Sequence, residues 1–389
     1  MNLFHESTTI KITQDNNFNS HEQSINKYQI KFIMIVLIAI ATNIFQFTVL
    51  SEKYFFDSNR ILSLIENDAI FQIQNSYNIT AYFSNVINIF GFTTLLHWSI
   101  AYSIVFNLLL YIFFKKVKFN SIYRLFWVCA CLGLLNLYTF SLGKDIFQFI
   151  LYFLIFILLQ SNKDEKRTVI LFGVCILLLL TWGIVFRIYF IFVAIYSLMT
   201  YILIRLYTSA RIKHGIVILA IFGVWLSLYF LSLIAPLEYE TVLSVHDRLN
   251  AHRFDSASSQ TIIIDIIPNQ GRLSLFIVNY IISLFRMLIP IELLFSLRTN
   301  IILYIPFFIF QIMLTYFVFF SLKRILNKEA SPIGMQVFCL YFGYLLGSAL
   351  FEPDFGSWIR HEITLFPIFM ILINNTYFLN KTNVKEELL

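Results

Sequence analysis

Long apolar runs separated by short charged connections restrict this chain more than any other feature of its sequence. A helix needs roughly 17–25 mostly apolar residues to cross a hydrocarbon core, where only helices and closed barrels satisfy their own backbone polar groups. Ten stretches read as spans: 32–50, 98–114, 122–140, 146–160, 168–186, 188–206, 215–233, 301–321, 333–350 and 363–379. Of the 389 residues, 59% are hydrophobic and 13% charged, more apolar surface than one water-soluble interior hides. The expected fold class is therefore all-α, a polytopic transmembrane helical bundle of about 10 spans.

A further apolar stretch, 273–296, carries Arg286, Pro290 and Glu292. A full crossing there would leave the basic connection near Lys323 and Arg324 on the wrong side. The expectation is a re-entrant or interfacial helical segment broken at Pro290, with one extra span as the alternative.

Basic residues concentrate at the cytoplasmic ends of spans. Lys27 and Lys31, the group 115–124, the group 163–167, the group 205–213, Lys323, Arg324 and Lys328, and finally Lys381 and Lys385 all fall on one side of the predicted bundle. This orientation puts both termini in the cytoplasm. The domain organisation is a cytoplasmic tail over 1–30, one membrane domain over 31–380 with long extracytoplasmic loops at 51–97 and 234–272, and a cytoplasmic tail over 381–389. The polar first 30 residues lack the apolar stretch and cleavage site of a signal peptide, so the N-terminus is expected to be retained. Loop 51–97 has the spaced apolar residues of short amphipathic helices.

The formal charge of +6 does not mark a nucleic-acid binder, because the basic residues lie between spans. Cys129, Cys131, Cys175 and Cys339 sit in apolar runs and read as packing residues. His246, Asp247, His252 and Asp255 are capable of metal ligation, but their spacing matches no zinc or calcium motif. No phosphate loop, dinucleotide fingerprint or serine elbow occurs, so no cofactor is expected.

Charges on the outer face are costly near a membrane unless they are paired or functional. Asp57 and Arg60 follow the first span, Lys144 and Asp145 precede another, and Arg187 marks a tight turn. Arg253 lies in the long loop, Arg286 in the broken segment, and Asp354, Arg360 and His361 in "FEPDFGSWIRHEITLFP". If the basic members converge, they form a chamber for an anion such as pyrophosphate, with carboxylates available for acid/base work. Arg360 has a planar donor fork suited to phosphate, and His361 titrates near neutrality. Each also has a plain structural reading: Arg360 paired with Asp354 or Glu352, Asp57 paired with Arg60, Asp145 as a helix cap, Arg187 reaching to head groups, and Arg286 neutralised by Glu292.

The Phe/Ile/Leu-rich spans, "FSLGKD" at 140–145, the isolated Arg187, the long loop before "FIVNYIISLFRMLIPIELLF" and the terminal "PDFGSWIRHE" together resemble the bacterial O-antigen and capsular repeat-unit polymerases. That resemblance implies transfer of a growing glycan between undecaprenyl-pyrophosphate carriers at the outer face of the plasma membrane. It implies that Arg187 and Arg360 hold pyrophosphate or an acidic glycan and that Asp57 deprotonates the attacking sugar hydroxyl. The implied partners are the undecaprenyl-pyrophosphate-linked glycan, membrane lipids and other assembly proteins such as a flippase or chain-length regulator, with no nucleic acid. A second similarity is to lipid-linked glycosyltransferases of the C superfamily, which place an acid beyond the first span; here Asp57 has no adjacent acidic partner. A lipid-linked oligosaccharide flippase or other transporter is the alternative of a different class.

Overall fold

The computed structural model describes residues 29–50, 52–114, 122–160, 165–209, 216–234, 272–295, 301–352 and 354–373, with a few isolated positions in 236–267. The described residues are helical throughout their regular structure. Among the described residues seven helices are long and apolar enough to cross a membrane, against about ten expected. They are α1 (Gln29–Thr48), α4 (Leu95–Phe114), α5 (Ile122–Leu134, continued by a π-helical turn Leu135–Thr139), α7 (Glu165–Val185), α8 (Tyr189–Thr208), α12 (Ile301–Leu326) and α13 (Pro332–Phe351). The chain thus has the character of a multi-pass membrane protein.

The other predicted spans are present as shorter or only partly described helices. Helix α6 (Asp145–Gln160) matches the predicted span 146–160, starting one residue earlier at Asp145. Of α9 (Ile216–Ile234), the apolar part with described side chains is Phe222–Leu233. Helix α14 (Phe355–Glu362) precedes the last predicted span, 363–379, of which the described part is a 3-10 turn (Ile363–Leu365) and α15 (Phe366–Leu372); residues 374–379 lie outside the described residues. Pro367 has no N–H to continue an α-helical ladder, so the segment re-starts with proline in its first turn.

Segment 273–296 breaks at the proline. Helix α10 (Leu273–Leu288) stops before Pro290, and a four-residue turn, α11 (Glu292–Phe295), follows. Loop 51–97 folds into α2 (Phe56–Glu66) and α3 (Ser76–Ile87), the latter capped by the Asn75 side chain, which accepts from Asn78 N at 3.2 Å.

Helix α13 is the centre of the bundle, with 89% of its apolar window buried against 11% for α1. Its closest partner is α8. A Cβ on Gly343 would collide with the backbone of Ser197, so glycine is what lets these two helices meet. Helix α1 joins the bundle through polar side chains: Asn43 Nδ2 donates to Ser103 Oγ at 3.2 Å, and Ser103 Oγ donates to Asn136 Oδ1 at 2.7 Å. Such bonds hold helices together where apolar burial against lipid gives little driving force.

Candidate functional site

Five separate pieces of chain bring charged residues and one tyrosine to one end of the bundle. Asp57 lies in the first turn of α2 and Tyr77 in the first turn of α3. Lys144 and Asp145 open α6, Arg187 sits in the turn between α7 and α8, and Glu352, Arg360 and His361 come from the α13–α14 connection and α14 itself.

Two of these positions have visible local supports. At the end of α7, the carbonyls of Gly183, Ile184 and Val185 lack onward helical partners. Gln74 supplies them: its backbone N–H donates to Val185 O at 2.8 Å, and its Nε2 donates to Gly183 O at 2.8 Å and to Ile184 O. To do so Gln74 adopts φ 66°, a left-handed conformation unusual for a side-chain-bearing residue. Arg187 is thereby held at a fixed turn. Arg360 and His361 ride on α14, which starts where the Asp354 carboxylate accepts from Ser357 N at 2.7 Å and Ser357 Oγ at 3.0 Å.

The cluster has two carboxylate centres. Asp145 is 3% exposed, with Arg360 Nε at 3.1 Å, His361 Nε2 at 3.3 Å and Arg187 Nη2 at 3.6 Å. Asp57 accepts from Tyr77 Oη at 2.6 Å on one oxygen; Lys144 Nζ and Arg360 Nη2 each lie 3.2 Å from the other. Lys144 also donates to Tyr77 Oη at 2.8 Å. Arg360 therefore bridges the two carboxylates. His361 is itself bridged, between Asp145 and Glu352, through its two ring nitrogens.

Burial alone raises the pKa of Asp57, but Lys144 and Arg360 outweigh it and hold the carboxyl below its usual range. His361 shows the opposite balance. Burial lowers its pKa, and the carboxylates of Glu352 and Asp145 more than reverse this, so the imidazolium is favoured. Glu352 is held below the usual carboxylate range because His361 and Arg187 outweigh its burial.

Of the residues expected from sequence, Asp57, Lys144, Asp145, Arg187, Arg360 and His361 meet directly. Arg60 stands at the edge, its guanidinium 4.3 Å from the centre of the Tyr77 ring. Asp354 caps α14, and Arg286 pairs with Glu292 through two contacts of 2.5 and 2.6 Å. Arg253 lies outside the described residues, as do His246, Asp247, His252, Asp255 and Pro353.

Four members were not among the expected site residues. Tyr77 links Asp57 to Lys144, and Glu352 orients His361. Gln148 accepts from Tyr189 Oη at 2.8 Å and from Arg187 Nη1 at 3.5 Å, while its amide donates to His361 O at 3.2 Å. Only Glu352 carried a sequence signal, as a charge at an outer helix end. The three neutral residues carried none.

Chemically, the cluster offers several fixed cations to an anion and several carboxylates to a proton. No protein-family model matches the chain, and neither a curated protein nor a solved structure is significantly similar to it.

Proposed function

We propose that the chain polymerises undecaprenyl-pyrophosphate-linked oligosaccharide repeat units into a capsular or O-antigen polysaccharide at the outer face of a bacterial plasma membrane. The meeting of Asp57, Lys144, Asp145, Arg187, Arg360 and His361 at one bundle end supports this reading most. The orientation expected from the basic connections, which puts them on the cytoplasmic side, is consistent with an outward-facing cluster.

Glycan transfer between carriers needs an oriented acceptor, a base and a cationic cradle for the leaving pyrophosphate; it needs no nucleotide. Lys144, Arg187 and Arg360 supply the cradle. The acceptor hydroxyl oxygen bonds to the anomeric carbon of the growing chain as that carbon's bond to the pyrophosphate oxygen breaks. The hydroxyl proton passes to Asp57, and the pyrophosphate leaves on its carrier.

Asp57 is a weak base while it is paired with Lys144 and Arg360. A pyrophosphate that draws those cations toward itself frees the carboxylate and strengthens it as a base. Donor binding and activation of the base are then one event. His361, as an imidazolium, adds a further charge facing the leaving group.

The test is reconstitution of the purified protein in liposomes with lipid-linked repeat units. The expected product is a ladder of longer carrier-linked glycans, lost in Asp57→Asn and Arg360→Ala. Movement of the lipid-linked unit across the bilayer without elongation would contradict polymerisation and favour a flippase.

A further inference from the structure

A second polar cell lies on the other side of α14, within the apolar core. Glu362 closes that helix and is 0% exposed. One carboxyl oxygen accepts from Tyr341 Oη on α13 at 2.7 Å, while the other makes no hydrogen bond. Gln311 on α12, also fully buried, faces both Glu362 and Tyr341, and neither its amide nitrogen nor its oxygen is within hydrogen-bonding geometry of a partner.

Trp127, Phe310 and Phe369 form the wall of the cell: Phe369 packs edge-on against Tyr341, with centroids 5.6 Å apart, and Trp127 stacks on Phe310. The titratable groups facing Glu362 are Tyr341 from α13 and the Cys131 thiol from α5; among the described residues none facing it is cationic. This sets Glu362 apart from Asp57, Asp145 and Glu352, each of which has cationic partners. A buried carboxylate without a counter-charge is far costlier than the neutral acid, which has a proton to donate.

We propose that Glu362, with Tyr341 and Gln311, is a proton-binding site that keeps α14, and with it Arg360 and His361, seated against the bundle. The ligand is a proton held as a neutral carboxylic acid. Burial raises the pKa of Glu362 to about 8, against the lowering effect of the Tyr341 and Gln311 hydrogen-bonding groups. Its effect on stability follows from linkage: proton binding in the folded state contributes fully below the unfolded value of 4.5 and is lost as pH rises through about 8. This inference is independent of the ligand bound at the outer ion cluster.

The test is difference infrared spectroscopy of the full-length protein in liposomes, in a pH series bracketing 8. A protonated-carboxyl carbonyl band should titrate near that pH and be lost in Glu362→Gln. The thermal-unfolding midpoints of wild type and Glu362→Gln should diverge steadily as pH rises from 4.5 to about 8. Tyr341→Phe removes a hydrogen bond that favours the ionised form, so its band should persist and titrate at higher pH; this variant keeps the test decisive if Glu362→Gln does not fold. A band absent from wild type, unchanged by Glu362→Gln, or titrating at an unchanged or lower pH in Tyr341→Phe would overturn the proposal. Loss of the band on adding sodium at constant pH would make the cell a metal-cation site and overturn it equally.

Discussion

Arg360 Nε lies 3.1 Å from Asp145 Oδ2, tying the late helix α14 to the start of α6. Because Asp145 is also approached by His361 and Arg187, this contact joins the cationic half of the cluster to its buried carboxylate. Removing one partner of a buried pair leaves the other uncompensated, at a cost of about 3–5 kcal/mol. Arg360→Ala should therefore lower the thermal-unfolding midpoint and abolish glycan elongation. Arg360→Lys should recover part of the stability but less of the activity, since one ammonium cannot reproduce the fork that spans Asp57 and Asp145. Melting and elongation assays on both variants check this.

His361 makes stability depend on pH. Its folded pKa is raised, so its contribution is complete below the unfolded value of 6.5 and disappears as pH rises through the higher folded value. Glu352 is the strongest influence raising it, ahead of Asp145. In Glu352→Gln that loss should be smaller and complete at lower pH, which thermal unfolding over a pH series will show. A pH dependence identical to wild type would contradict the pairing.

Asp57 gives the complementary prediction on the acidic side. Lys144 is the foremost lowering influence on its pKa, and the Tyr77 hydrogen bond acts in the same direction. Lys144→Met and Tyr77→Phe should each move the acid limb of the elongation pH–rate profile upward, Lys144→Met further. The profile of kcat/KM for the liposome-reconstituted protein is the measurement, because it reports the free enzyme's groups.

The charged members of the cluster were legible in the sequence because ionisable residues are scarce among the apolar runs and stand at their ends. Lys144, Asp145, Arg187, Arg360 and His361 each occupy such an end. Tyr77, Gln148 and Tyr189 were not legible, since aromatic residues make up 18% of the chain and nothing local distinguishes a bridging tyrosine from a packing one. Their roles arise from contacts between distant segments. The described spans number seven against about ten expected, and apolar composition marks burial in protein as well as in lipid. It does not reveal the 3-10 turn that precedes Pro367.

The contact between α8 and α13 tests the fold separately from the site. At Gly343 an added methyl would meet the Ser197 backbone, whereas at Gly173 nothing lies within 4 Å. Gly343→Ala should destabilise by about 1–3 kcal/mol, as overpacking commonly does, while Gly173→Ala should be neutral or slightly stabilising. Thermal unfolding of the two variants in the same detergent gives the comparison.

The most direct test of the central claim is the length of carrier-linked glycan in cells lacking the gene, and in the same cells restored with wild type or Arg360→Ala. The account predicts single lipid-linked repeat units in the deletion strain, long chains on restoration with wild type, and single units again with Arg360→Ala. Normal long chains in the deletion strain would contradict it.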